Sequence, residues 1–206
     1  MTAPDLQAAA DSLAIGISII DRATAHAAST PGIDDQQTFL YDLAHAASAI
    51  EISRSLLDYG AKGDVEGKIA CAFIADALAE LQTKLFGQEE SWGVEQGEID
   101  MARNFIAKFK SPDFVASLST VNAPMHLDVD FEMVADTFRR FADDKIAPQA
   151  EHIHREDTDI PEEIIDGLAE LGCFGLSVPE EYGGFATGSE SDYMGCLLYT
   201  SPSPRD

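Results

Sequence analysis

Two histidines separated by one residue are the first candidates for chemistry in this sequence. His152 and His154 lie in the segment EHIHRED, and paired imidazoles are common ligands of transition metals. Residues i and i+2 share a face in a strand but not in a helix, and this segment is predicted to be a helix end or a loop. The pattern therefore favours an exposed polar helix terminus. The same interpretation is preferred for His126, which lies near Asp128 and Asp130.

A run of glycines could hold a phosphate group. Gly183 and Gly184 are followed by Gly188, but a P-loop needs a lysine after its last glycine and this chain has Ser189 there. A dinucleotide-binding fingerprint needs a preceding strand and a following helix, and its spacing also differs. The pattern favours a loop with backbone conformations that only glycine adopts easily.

The three cysteines are widely spaced along the chain. Cys71, Cys173 and Cys196 form no close pair, which indicates reduced thiols rather than a disulfide framework or a zinc site. Cys173 stands between Gly172 and Phe174 and has no basic neighbour to lower its thiol pKa. We interpret it as a packed thiol rather than a nucleophile. The residues themselves thus assign no catalytic, cofactor-binding or metal-binding side chain.

The charge balance limits the class of partner. The 206 residues include 37 acidic and 13 basic side chains, a formal net charge of −24. Such a chain repels nucleic-acid phosphates and anionic lipids, so we expect neither nucleic acid nor a membrane as partner. The first residues, MTAPDLQAAAD, lack the basic and apolar regions of a signal peptide. We expect a soluble, cytoplasmic protein.

The elements that would position any site are predicted to be helices throughout. In residues 1–118, apolar side chains at helical spacing predict four helices and a short fifth turn, joined by loops marked by Gly or Pro. The approximate ranges are 5–27, 35–59, 64–85, 94–109 and 111–118. Such helices form a bundle. The third is expected to bury a long apolar set: Val65, Ile69, Phe73, Ile74, Leu78, Leu81 and Leu85. Ser111 is expected to cap the last turn, with Pro112 as its first residue.

A polar segment, 119–128, is predicted to link this bundle to a second helical region at 129–195. There a helix over about 130–145 places Phe131, Val134, Phe138 and Phe141 on one face. Pro148 is expected to kink this helix or restart it. Asp159 and Glu162 have the spacing of a capping box. The helix that follows is expected to bury Ile164, Ile165, Leu168 and Leu171 and to end at Gly172.

The order of these elements resembles the N-terminal helical domain of the acyl-CoA dehydrogenase family. The resemblance rests on the F-x-x-V-x-x-x-F-x-x-F helix, on the I-A-P-x-A of residues 146–150, and above all on LAELGCFGLSVPEEYGG at residues 168–184. It covers about residues 128–195. The preceding helical bundle is not standard for the family and is similar to the subfamily that acts on methylsuccinyl-CoA in the ethylmalonyl-CoA pathway. The expected fold is all-α, a helical-bundle extension followed by the start of the family's N-terminal helical domain.

The resemblance implies an FAD-dependent enzyme that forms a double bond between the α and β carbons of an acyl-CoA, here a short branched one. It also implies an electron-transfer flavoprotein as electron acceptor and a homo-oligomeric assembly. In the family, the catalytic Glu and the FAD-binding domain come after the position of Gly195, so no catalytic or cofactor residue is assigned in this chain. The last residues, 196–206, read CLLYTSPSPRD and are interpreted as an artefactual tail. The chain alone is therefore expected to be inactive and to hold no FAD.

A second hypothesis comes from a different class. The chain could be a non-catalytic, acidic helical module for protein–protein interaction or oligomerisation. The residues alone leave this alternative open.

Overall fold

The structure, a computed structural model, describes residues 2–122, 124, 126–188 and 197. It divides into two compact units, Met1–Pro124 and Met125–Asp206. All regular elements in the described residues are helical, and the isolated bridge between Pro179 and Ala186 does not extend into a strand. The all-α class is therefore confirmed, while the finer domain limits 1–118, 119–128, 129–195 and 196–206 stay predictions.

Three long helices form the frame of the first unit. They are α1 (Leu6–Ser29), α2 (Gln37–Gly60) and α3 (Asp64–Leu85). Gly16, in the middle of α1, lets the three approach closely: a Cβ there would lie 2.7 Å from Ile50 Cδ1 and 2.9 Å from Leu78 Cδ2. A glycine that looks unfavourable in a helix is thus required by packing.

The start of α1 is fixed by its cap. Asp5 Oδ1 accepts a hydrogen bond from the Ala8 N–H at 3.1 Å, as expected of an N-cap aspartate. The Asp5 N–H in turn donates to the Sγ of Cys71 on α3 at 3.4 Å. The N-terminal end of α1 is therefore held against α3.

After α3 the chain is less helical than predicted. Gly93 and Gly97 adopt left-handed backbone conformations, φ +64° and +78°. Gly97 lies inside the helix expected over 94–109 and interrupts it. A 3-10 turn at Glu98–Ala102 precedes the short α4 (Arg103–Phe109). Trp92 is only 3% exposed and meets Phe39 edge to face, with the ring centroids 5.4 Å apart. This segment completes the core of the unit.

Two details of the first unit correct the sequence predictions. Pro112 does begin α5 (Pro112–Ser117), but the Ser111 hydroxyl donates to the carbonyl of Lys108 at 3.0 Å instead of capping the helix. Phe73, predicted to be buried, is 37% exposed because its position on α3 falls outside the face that packs on α1 and α2.

The second unit contains α6 (Val129–Phe141), α7 (Ala147–Glu156) and α8 (Glu162–Glu170). Asp128 caps α6 by accepting from the Phe131 N–H at 3.0 Å. A π-helical turn, Ala142–Ile146, joins α6 to α7 directly before Pro148. The proline therefore coincides with a change of helix type, in the place where a kink or restart was predicted.

Two predictions about α8 are wrong. No side chain caps it, and the Pro161 carbonyl instead accepts from the Ile164 and Ile165 N–H groups, so the Asp159–Glu162 capping box does not form. The backbone at Pro161 is extended, φ −56° and ψ 137°. The helix therefore begins only after the proline, at Glu162. Ile164 and Leu168 are buried, whereas Ile165 and Leu171 are 44% and 36% exposed. Ile165 lies about 100° around the helix from Ile164, and Leu171 is the C-terminal cap residue, beyond the last helical turn.

Candidate functional site

The motif-bearing segment begins where α8 ends. Gly172 is left-handed, φ +76°, and its N–H donates to the Ala169 carbonyl at 2.9 Å. The Leu171 N–H donates to the Gly167 carbonyl at 3.1 Å. These bonds satisfy carbonyls at the C-terminal end of the helix, and the glycine reverses the chain direction without a side-chain clash.

The segment 172–186 folds back and closes on itself; we call it the closed loop. Its ends are tied by the Phe185 N–H, which donates to the Gly175 carbonyl, and by the Ala186 N–H, which donates to the Val178 carbonyl, both at 2.9 Å. At Gly184, a Cβ would lie 2.0 Å from the Val178 carbonyl oxygen. Only glycine therefore allows the two sides of the loop, at Val178 and Gly184, to approach this closely.

Aromatic side chains cover the outside of the closed loop. The Phe185 ring lies against two glycines: a Cβ at Gly172 would be 2.7 Å, and one at Gly175 3.3 Å, from its atoms. Phe185 is nevertheless 61% exposed, and Phe174 and Tyr182 are 58% and 75% exposed. The loop presents apolar surface rather than polar chemical groups.

The glycine N–H groups of the closed loop are not available to a phosphate. The Gly183 N–H donates to the Glu180 carbonyl at 2.9 Å and the Gly184 N–H to the Pro179 carbonyl at 3.2 Å. A phosphate cradle needs converging backbone N–H groups that have no partner within the protein. These residues therefore do not fit the diphosphate of FAD. Ser189 lies outside the described residues.

Among the described residues, the candidate histidines are not joined by a group of further metal-ligating side chains. His152 and His154 are exposed near the end of α7, where residues two apart point in different directions. His126 lies before α6 with a left-handed backbone, φ +55°. No group of three or more metal-ligating side chains converges in the part of the chain that the structure describes.

The described cysteines are packed thiols. Cys71 is fully buried and Cys173 is 6% exposed. Burial raises the pKa of each thiol above its ordinary value, so both remain protonated, and poor nucleophiles, near neutral pH. Cys173 packs with Ile164 and Leu168 in the small core of the second unit. Cys196 lies outside the described residues.

One feature of the first unit was not predicted from the sequence. A cavity of about 810 Å3 is lined by residues that include His26, Phe39, Trp92 and an Asp42–Lys84 ion pair of 2.5 Å. These residues come from α1, α2, α3 and the segment after α3, so their spacing along the chain gives no signal.

No described helix is both long and apolar enough to cross a membrane.

Comparison with known proteins places this architecture in a family. Residues 129–198 match the family model described as acyl-CoA dehydrogenase, N-terminal domain. The chain therefore carries, in its second unit, the N-terminal domain of the acyl-CoA dehydrogenase family. It is 30% identical over 186 residues to (2S)-methylsuccinyl-CoA dehydrogenase of Cereibacter sphaeroides, in an alignment that covers 79% of this chain and 34% of that protein.

Two further relatives match over shorter lengths. Benzylmalonyl-CoA dehydrogenase of Aromatoleum aromaticum is 47% identical over 51 residues, covering 25% of this chain and 13% of that protein. Glutaryl-CoA dehydrogenase of Desulfococcus multivorans is 31% identical over 80 residues, covering 39% and 20%. The chain thus spans about a third, or less, of the length of these relatives.

Proposed function

We propose that the whole protein is an FAD-dependent acyl-CoA dehydrogenase that introduces a Cα–Cβ double bond into methylsuccinyl-CoA. The observation that carries this proposal is the extent of the match to the Cereibacter enzyme. That alignment covers 79% of the chain, whereas the family model matches residues 129–198. The similarity to this relative therefore includes part of the helical extension and is not confined to the family domain.

The names of the relatives support a class of substrate. Methylsuccinyl-CoA, benzylmalonyl-CoA and glutaryl-CoA are each the CoA thioester of a dicarboxylic acid, so each keeps one free carboxylate. We propose a substrate of this class, short and branched. Because the chain carries a net charge of −24, the free carboxylate needs a local basic partner to be held.

The residues of this chain are proposed to support the reaction rather than perform it. The closed loop satisfies its own glycine N–H groups, and its exposed Phe174, Tyr182 and Phe185 offer apolar contact area. We propose that the second unit supplies one wall of the acyl pocket. The catalytic base and the FAD-binding residues are proposed to lie in parts of the protein beyond this chain, and electrons to leave to an electron-transfer flavoprotein.

The proposal is tested by comparing this chain with a longer product that also carries the proposed catalytic and FAD-binding parts. The purified 206-residue chain is expected to show no flavin absorbance near 450 nm and no turnover. The longer product is expected to be yellow and to reduce an electron acceptor faster with (2S)-methylsuccinyl-CoA than with glutaryl-CoA or butyryl-CoA. Flavin bound to the chain alone, or a preference for butyryl-CoA, would contradict the proposal.

A second function is supported for the first unit. It buries a cluster of 21 apolar residues of its own and lies outside the family match. We propose that it acts as an acidic helical module for oligomerisation within the homo-oligomeric enzyme.

A further inference from the structure

The cavity beside Trp92 contains a hydrogen-bond donor that the described residues do not satisfy. Trp92 lines this cavity of about 810 Å3 and is only 3% exposed. Among the described residues, no acceptor lies within hydrogen-bonding distance of its indole N–H. Glu98 Oε2 is the only fully enclosed side-chain oxygen or nitrogen without a partner in that part of the chain, so the indole nitrogen opens to the cavity. Because a buried indole N–H usually has a partner, an acceptor must come from outside the protein.

The indole is held in place before any ligand binds. The backbone N–H of Trp92 donates to the Gln88 carbonyl at 3.1 Å. Gly93 lies so close to α1 that a Cβ there would be 2.9 Å from the Cβ of His26. The indole also meets the Phe39 ring edge to face, with the centroids 5.4 Å apart. A donor fixed in this way loses little conformational freedom when it binds an acceptor.

The charges around the cavity restrict the kind of acceptor. Lys84 is paired with Asp42 at 2.5 Å, and Asp35 adds a second carboxylate to the lining. An anionic acceptor is therefore repelled, all the more by a chain of net charge −24. A cationic group such as an ammonium carries no acceptor for the indole N–H. An uncharged oxygen acceptor avoids the repulsion and satisfies the donor.

Aromatic side chains in the same lining favour a planar ligand. Phe39 is half-buried and Phe86 is 86% exposed, and both line the cavity. Aromatic rings pack well against another ring, stacked or edge to face. Small-molecule sites usually combine such apolar walls with a few well-placed polar groups, in volumes of about 300–1,000 Å3.

We infer that the first unit binds an uncharged, planar carbonyl compound in this cavity. The carbonyl oxygen of the ligand accepts from the Trp92 indole N–H, and its ring packs on Phe39 and Phe86. The site goes beyond the proposed dehydrogenation and does not depend on it, because its residues lie outside the family match at residues 129–198. Failure of the tests below would leave the proposed reaction unaffected.

Three ligands of similar size and different charge test the chemical class. Benzamide is uncharged and carries a carbonyl oxygen, benzoate is an anion, and benzamidinium is a cation without an acceptor. Trp92 is the single tryptophan, so the isotopically labelled full chain gives one indole N–H resonance. At about pH 8, where imidazole is ordinarily neutral, we expect benzamide to move this proton resonance to lower field. Benzoate and benzamidinium should bind at least roughly tenfold more weakly, about the effect of one hydrogen bond.

Two matched threonines test the place of binding. Thr83 lines the cavity, whereas Thr137 lies on α6 in the second unit. Both are exposed, and each hydroxyl donates to the carbonyl four residues earlier, at 3.0 Å and 2.8 Å. Thr83→Phe is expected to raise the dissociation constant of benzamide roughly tenfold or more, because the larger side chain fills the cavity. Thr137→Phe should leave that constant unchanged.

Removal of the indole N–H tests the hydrogen bond itself. Trp92→Phe keeps an aromatic ring and should raise the dissociation constant of benzamide by about tenfold, as measured by calorimetry. Thr83→Phe decides the matter if that variant does not fold, because Thr83 is exposed. An unmoved indole resonance with benzamide, equal affinity for the three ligands, or unchanged binding in Thr83→Phe would overturn the inference.

Discussion

Two adjacent glycines in the closed loop are required for different reasons. Gly183 has a left-handed backbone, φ +85°, but open space around it: a Cβ at this position would have no atom within 4 Å. At Gly184 a Cβ would lie 2.0 Å from the Val178 carbonyl oxygen. The first position therefore restricts the backbone conformation, and the second restricts the volume of the side chain.

This difference predicts opposite outcomes for two substitutions. Gly184→Ala is expected to separate the two sides of the closed loop, because a backbone carbonyl cannot move aside as a flexible side chain can. Gly183→Asn should cost about 1 kcal/mol or less, since asparagine tolerates the left-handed region. Hydrogen exchange of the Phe185 and Ala186 amides checks this: we expect protection lost in Gly184→Ala and kept in Gly183→Asn. Equal protection in both variants would show that the loop is not held by this close approach.

At the scale of elements, the π-helical turn keeps one apolar face continuous. Phe141 and Ile146 both pack on the core formed by Ile164, Leu168 and Cys173, although they are five residues apart. In a regular α-helix that separation would rotate Ile146 by about 140° from Phe141. The π turn at Ala142–Ile146 takes up the extra residue and returns Ile146 to the same side.

Removing the extra residue should therefore convert this turn to a regular α-helix. We expect that deleting Asp144 together with Pro148→Ala preserves the second unit, because Phe141 and Ile146 become four residues apart and no proline interrupts the helix. Deleting Asp144 alone should lower the free energy of unfolding by roughly 3 kcal/mol more than the combined change does, because proline inside a helix usually costs that much. Hydrogen exchange of α8, measured in the longer product in which the second unit is proposed to have its missing contacts, reports both effects.

The control for that experiment is a deletion in the regular part of α6. Removing the exposed Asp136 should displace the apolar residues before it from the face and abolish protection of α8. If the two deletions, each combined with Pro148→Ala, have the same effect on α8, the π turn does not determine which side chains of α6 and α7 face the core.

The sequence predicted some of these elements well, and the failures have physical causes. Capping residues that act within one turn, such as Asp5 and Asp128, were near the predicted helix starts. The Asp159–Glu162 pair had the correct spacing but failed because Pro161 holds an extended backbone between them. Local spacing does not reveal such a competing constraint.

Tertiary packing is a second constraint that local spacing does not reveal. Gly167 lies inside α8 because a Cβ there would be 2.6 Å from the Phe141 ring, and no rule of helix propensity anticipates that contact. The candidate site was predictable as a glycine-shaped loop without chemical groups. Its internal hydrogen bonds were not, because they join residues up to ten positions apart across an irregular turn.

At the scale of the molecule, the two units differ in how much apolar surface they bury for themselves. The first buries a cluster of 21 apolar residues, and the described part of the second buries three. Large side chains in the second, among them Met133, Ile160, Phe174 and Tyr182, remain more than half exposed. A core that small rarely supports an independent fold.

We therefore predict that residues 1–118 fold when expressed alone and that residues 125–195 do not. The first should unfold in one cooperative transition. That transition can be monitored by the fluorescence of Trp92, which is 3% exposed. The second should bind a hydrophobic dye and show no cooperative transition. Cooperative unfolding of 125–195 would mean that its exposed apolar residues are not the surface of an incomplete core.

The π turn also has an evolutionary consequence. A helix that can store one surplus residue in a wide turn is a place where the loss of that residue is tolerated once the proline after it is also replaced, because the residues on either side keep their partners. Among relatives of this domain that lack a proline at the position of Pro148, single-residue length differences should then accumulate between the positions of Phe141 and Ile146. They should be rare in the regular turns of α6 and α8.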